Sequence, residues 1–398
     1  MGETIPDGAS RPGISDLGRI ENIGRHCGLA TCWVIGVIAL DIPGFAERLL
    51  AVIDEGRRTA TYKLALLIAL TMTCVEAGRT PSEHPFSVST RRIASLVAEQ
   101  YWRQLRPFPS SQGPVDLRQI TNKSAAILTK LASLRDQAPV ARSWREACEA
   151  RPELAERVLD HVELTVARYP ILRLQVVDGV PQPFIYDVDW TESASLQHLH
   201  HLGDHAVVFR SGAADQLVRL SPLVRPLVET HWVRMVADLN QLAPVEDELR
   251  RHLFGSERIA FPPSLRSGLG AMQEDICFYC GLRLDGRFAI DHFIPWARWP
   301  NDAVENLVAA HPSCNGHKSD RIPGPTPLIR WSDRLRSQQR EMRQLAVTAK
   351  WNSAASRTMA VATSLYGHLP EGAPLWDGPG AVVGAHPKQL LAILAGSE

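Results

Sequence analysis

The chain has 398 residues, 45% of them hydrophobic, and its 43 Lys and Arg are balanced by 43 Asp and Glu. That length suggests two or three domains with sizeable cores. A formal net charge of zero excludes a protein that coats nucleic acid through bulk charge.

Residues 1–25 are rich in Gly, Pro and Ser and are expected to form a flexible leader. The apolar run 28–40 is too short to cross a bilayer and begins too late for a signal peptide, so a buried strand or helix is expected there. Apolar residues at helical spacing predict helices over 44–55 and 61–76. Ser89 is a good N-cap for a helix over 89–105, and 116–136 and 152–168 read as further helices. The period then changes. Residues 171–177 and 184–188 read as strands around Asp178-Gly179, 205–210 as a third strand, and 214–242 as helix again. Helices followed by a hairpin fit two arrangements. One is a winged helix that turns Arg91, Arg92, Arg103 and Arg106 towards DNA, and the other is a partner-binding helical domain with solvated arginines. The tract Tyr62–Leu67 and the later Tyr101-Trp102 loosely resemble the amino-terminal regions of some bacterial proteins of restriction and anti-phage defence.

Pro262-Pro263 and Gly268–Gly270 mark a boundary before the segment richest in chemistry. Cys277 and Cys280 form one two-residue-spaced pair, and His311 and Cys314 form another. Such knuckles let four N/S donors converge on one zinc ion, although His311 could instead serve a second metal nearby. Asp285-Gly286 predicts a tight hairpin between 282–284 and 288–290. Asp291 and His292 follow a strand-like run and, as neighbours, should point to opposite faces. Asn306 lies in an irregular connection, 307–310 reads as a second strand, and Asn315 to Lys318 opens a short helix. Beyond it, 332–350 reads as a long polar helix whose Arg-rich face could flank an active site. Residues 352–366 and 386–396 are expected to pack back, joined by a Pro-rich connection over 369–376.

The strand–loop–strand–helix with Asp291-His292, Pro295, Asn306-Leu307 and Asn315-x-x-Lys318 resembles an HNH endonuclease domain, the ββα-metal fold. Its Asn-x-x-Lys-Ser-Asp ending is similar to that of the HNH domain in RNA-guided CRISPR nucleases. The third signature residue is Asn315 rather than His, so this is an H-N-N variant. The resemblance implies that His292 is the general base, that Asp291 and Asn315 bind one Mg²⁺ or Mn²⁺, and that Asn306 orients the His292 ring. It further implies that Lys318, with Arg298 and Arg321, contacts substrate phosphate, and that Cys277, Cys280, His311 and Cys314 hold a structural Zn²⁺.

The expected fold class is therefore α+β. A mainly helical targeting or partner domain over 26–262, with a β-hairpin near 170–190, precedes an HNH nuclease domain over 270–330 and a helical extension over 331–398. Two functions compete. One is a metal-dependent endonuclease that nicks DNA one strand at a time, with RNA as an alternative substrate. The other is a non-catalytic zinc-stabilised module that binds DNA or protein. A small excess of Arg and Lys (nine against six Asp and Glu over 281–340) favours DNA weakly. The seven cysteines form no disulfide-like framework, so a reducing cytoplasm is expected, with no membrane association and, from the defence resemblance, partner proteins of such a system.

Overall fold

The computed structural model describes residues 41–54, 60–82, 84–110, 113–121, 126–242, 246–255 and 261–396. The expected leader and the apolar run 28–40 lie outside these residues, as do Cys27 and Cys32. The rest of the architecture is mixed helix and strand, as the sequence implies.

The first helices follow the apolar period closely: α1 (Ile42–Asp54) and α2 (Tyr62–Glu76), the latter with buried side chains nearly all round. A helix apolar on every face belongs in the middle of a bundle. Strand β1 (Phe86–Val88) leads into α3 (Thr90–Gln104), whose N-cap Ser89 accepts the Arg92 amide. The predicted helix over 116–136 is shorter. A small hairpin of β2 (Phe108–Ser110) and β3 (Gly113–Val115) precedes it, and only α4 (Ala126–Gln137) is helical. Gln119 explains part of the difference, because it accepts bonds from Thr61 and from the Trp232 indole and so is held as a buried polar anchor. Then come α5 (Trp144–Ala150) and α6 (Pro152–Val166), the latter ending in a π-helical turn over Ala167–Ile171.

The two strands expected around Asp178-Gly179 do not pair with each other along their length. Asp178 and Gly179 both have positive φ and close a two-residue turn, but it joins only β4 (Val176–Val177) to β5 (Val180–Pro181). Strand β6 (Tyr186–Val188) pairs elsewhere. Beyond α7 (Leu196–Leu202), β7 (Val207–Phe209) lies between β1 and β6 in an antiparallel sheet of order β1-β7-β6, with Phe209 opposite both Phe86 and Tyr186. The long α8 (Ala213–Asn240) then packs on α2, followed by α9 (Glu246–Leu253). This is not a winged helix with arginines turned to DNA, and the arginines are not simply solvated. Arg91 pairs with Glu156, Asp160 and Glu163, Arg92 pairs with Glu76, and Arg103 lies over the Trp296 ring.

Residues 262–270 open a helix, α10 (Pro263–Met272), which packs on the second of the two strands that follow. Those are β8 (Ala289–His292) and β9 (Leu307–Ala310), antiparallel, with Asp291 opposite Val308 and His292 opposite Leu307. The short α11 (Pro312–Lys318) completes the ββα unit. The predicted hairpin at Asp285-Gly286 is absent. Only Gly286 has positive φ, the Asp285 carboxylate accepts the Arg287 amide, and residue 283 bridges back to residue 276 instead. The long polar helix over 332–350 divides at Gln338 into α12 (Pro325–Ser337) and α13 (Gln339–Ala349). Its arginines do not form one solvent face: Arg334 is buried, and Arg336 bonds Ser332 and Asp333. Helix α14 (Ala355–Gly367) packs against α2, and the Pro-rich connection contains the start of a hairpin of β10 (Pro374–Gly378) and β11 (Ala381–Gly384) before α15 (Pro387–Ala395). The described residues all belong to one compact unit.

Candidate active site and metal-binding cluster

The cysteine pairs meet as their spacing implies. One ligand atom from each of Cys277, Cys280, His311 and Cys314 lies within 4.8 Å of every other. The first knuckle is tightened by the Cys277 amide on the Leu282 carbonyl at 2.8 Å and by Gly281, whose φ of +72° suits glycine. His311 turns Nδ1 to Cys280 Sγ at 3.3 Å and Nε2 to the Arg283 carbonyl at 3.1 Å. A carbonyl accepts only, so Nε2 carries the proton and Nδ1 is left as a ligand. Burial raises the Cys277 thiol, but backbone amides of Cys280, His311 and Tyr279 outweigh it and bring it down to about 7. Burial and the neighbouring Cys277 and Cys280 sulfurs push Cys314 up to about 12. Three sulfurs this close cannot all be thiolates unless a cation sits among them. Tetrahedral zinc with Zn–S bonds of about 2.3 Å needs sulfurs roughly 3.8 Å apart, so the cluster fits it. His311 therefore sides with the cysteines rather than with the second centre.

The second centre stands at the end of β8. Asp291 is buried, and its Oδ2 accepts the Tyr279 hydroxyl at 2.5 Å and the Lys318 ammonium at 3.0 Å. Oδ1 bonds nothing among the described residues. Lys318 itself is fully buried and also donates to the His292 carbonyl at 2.7 Å. Burial pulls its pKa down, although Asp291 opposes this. The expectation that Lys318 meets a phosphate is therefore not met, because this ammonium braces the Asp291 carboxylate and the strand end. Asn315, one turn before it on α11, is half-buried and makes no side-chain hydrogen bond among the described residues.

His292 directs Nε2 at Asp302 Oδ1, 2.7 Å away, and its ring packs against Trp296 with centroids 5.2 Å apart. A carboxylate needs a donor, so in the neutral ring Nε2 carries the proton and Nδ1 is the nitrogen with the lone pair. The expected ring-orienting partner, Asn306, does something else. Wholly buried, it accepts the Ile294 amide at 2.8 Å and donates to the Ile294 and Asn301 carbonyls at 3.1 Å each. It thus cross-links the β8–β9 connection that presents Asp302, and orients the ring only indirectly. Asp302 and Tyr279 are the functional residues that sequence reading missed. Tyr279 was visible as a polar residue between the two knuckle cysteines. Asp302, in a Pro-Asn-Asp connection, carries no spacing signal of its own.

That connection is also anchored from afar. The Trp299 indole donates to Glu76 Oε1 at 3.1 Å, and the same buried carboxylate takes Arg357 at 2.5 Å and Arg92. Arg298 and Arg321 make no side-chain hydrogen bond to His292, Asp291 or Asn315 among the described residues. Both line a cleft of about 570 Å³ with Arg219 of α8. Burial lowers the Arg298 pKa, partly offset by Asp320.

This ββα arrangement is that of an HNH endonuclease domain, whose family model matches residues 277–321. A second model, a domain of unknown function (DUF8808), matches residues 44–251, just over half of the chain, and the chain belongs to that family. No curated protein and no solved structure matches it. No helix among the described residues is long and apolar enough to cross a membrane.

Proposed function

We propose that the chain is a divalent-metal-dependent endonuclease that hydrolyses DNA phosphodiester bonds, stabilised by one zinc in the Cys277, Cys280, His311, Cys314 cluster. The observation that carries this reading is the His292 ring, held through Nε2 by Asp302, next in sequence to a carboxylate; His292 Nδ1 and Asp291 Oδ1 bond nothing among the described residues.

His292 Nδ1 accepts a proton from a water molecule as the water oxygen bonds to phosphorus and the bond from phosphorus to the 3′ oxygen breaks. Asp302 fixes the productive tautomer and stabilises the imidazolium that results. Lys318 and Tyr279 hold the Asp291 carboxylate so that Oδ1 and the Asn315 amide oxygen remain as hard donors suited to Mg²⁺ or Mn²⁺. Such an ion, when bound, supplies stabilisation of the charge developing on the phosphoryl and leaving oxygens. One base and one pair of metal donors per chain imply a single-strand nick per encounter. Retention of a free imidazole nitrogen beside a metal carboxylate favours catalysis over a binding-only zinc module.

Supercoiled plasmid with Mg²⁺ or Mn²⁺ tests the reading, with an RNA substrate alongside. Open-circle product that disappears in His292→Ala is expected, and equal nicking by the variant removes His292 as the base. Anti-phage defence is the setting suggested by the amino-terminal resemblance. Plaque counts on cells carrying the chain or its His292→Ala variant test it.

A further inference from the structure

The cleft that holds Arg298 and Arg321 is built from four separated stretches: α8, the β8–β9 connection, the turn after α11, and the end of α14 with the hairpin beyond it. Its lining carries three arginines, Arg219, Arg298 and Arg321, and a single carboxylate, Asp320. Elsewhere the arginines near carboxylates are paired: Arg225 with Glu229, Arg357 with Glu76, Arg210 with Asp187. None of the three cleft arginines has a side-chain hydrogen bond or ion pair among the described residues. His368, also in the lining, is already engaged at both ring nitrogens, by the Ser364 carbonyl and by Asp215. The cleft therefore has an excess of guanidiniums over carboxylates, with Asp320 acting on Arg298, and such planar donors match phosphate oxygens in a bidentate way.

Its remaining wall is apolar and rich in proline, with Pro222, Pro370, Leu369, Leu375 and Val382. A volume of about 570 Å³ is far more than an inorganic phosphate fills and falls in the range of small-molecule sites. A lining that combines guanidinium forks with proline-rich apolar residues suits a ligand with a phosphate and a planar ring.

We propose that this cleft binds a nucleoside phosphate unit, held by Arg219, Arg298 and Arg321 through its phosphate and by the proline-rich wall through its base. The unit is either a free nucleotide or one nucleotide of a bound strand. Because Arg219 belongs to the DUF8808 region and Arg298 and Arg321 to the nuclease segment, occupancy ties the two regions together.

Titration calorimetry of the full chain with dAMP, dGMP, ATP, inorganic phosphate and an eight-nucleotide single strand tests this. The His292→Ala protein is used so that no strand is cut. Saturable binding of a nucleotide or of the strand, at least tenfold tighter than inorganic phosphate and weakened at least tenfold by Arg219→Ala, is expected. Binding of free nucleotides identifies a soluble ligand, and binding of the strand alone identifies substrate. No binding by either, or binding undiminished in both Arg219→Ala and Arg298→Ala, overturns the proposal. Arg219 is exposed and bonds no other described residue, so its variant should keep the wild-type melting temperature. A chain that nicks plasmid but binds no nucleotide refutes the cleft alone, whereas one that binds but does not nick refutes only the nuclease reading.

Discussion

The nuclease segment contains two groups of metal-type donors that share a strand pair and differ in almost every other respect. The cysteine–histidine cluster is closed. Its four donors face one another, its amides point at sulfur, and its histidine is fixed by a carbonyl on the far side. The Asp291–His292 centre is only half closed. One carboxylate oxygen is braced by a lysine and a tyrosine and one imidazole nitrogen is held by a carboxylate, while the other oxygen and the other nitrogen bond nothing among the described residues. A site that saturates its donors can only hold its ion, whereas one that keeps donors in reserve can accept a substrate and a proton.

Removing the closed group should have the largest effect. Zinc binding at structural sites contributes on the order of 10 kcal/mol to folding. Chelation or Cys277→Ser should therefore release about one zinc per chain and lower the melting temperature sharply, and nicking should be lost with it. Unchanged melting after zinc loss would erase the contrast between frame and centre. Next in size is His292→Ala, which should cut nicking by roughly 10²- to 10⁴-fold and leave zinc content and melting untouched. Asp302→Asn should cost about 10- to 100-fold in kcat with little change in KM, since it acts through the ring rather than on substrate. A larger effect on KM would show that Asp302 touches the nucleic acid instead. The smallest effect is expected outside both groups, at Asp215. Burial would raise this carboxyl, but bonds from His368 and the Ser82 amide outweigh burial and hold it below the usual aspartate range. A depressed carboxylate stabilises the fold above its unfolded pKa of about 3.9, and that contribution fades as pH falls through the folded value. Asp215→Asn should therefore flatten the acid limb of melting temperature against pH and leave nicking near neutrality unchanged.

What the sequence reveals depends on how far apart the partners lie. The zinc knuckles, the strand 307–310 and the Asp291-His292 pair are local patterns, and the structure has them where spacing implies. The two Asp-Gly pairs show the limit of local reading. Asp178-Gly179 adopts the positive-φ turn that its residues favour, whereas Asp285-Gly286 does not, because the preceding residues are drawn back towards 276 by the knuckle. Asp302 and Glu76 were invisible for the same kind of reason: each acts on a residue that chain order does not mark as its neighbour. Lys318 reads as a phosphate contact until the partner it is buried against, Asp291, is seen opposite.

Glu76 has a wider consequence. This one carboxylate collects donors from α3, from the β8–β9 connection and from α14, so the loop that positions Asp302 is finished by helices far outside the matched nuclease segment. The segment is accordingly not portable. Grafted alone onto another carrier, residues 277–321 would carry the signature and the zinc knuckles but leave Trp299 without its anchor. Exchange between proteins would have to move α2 and α14 along with it.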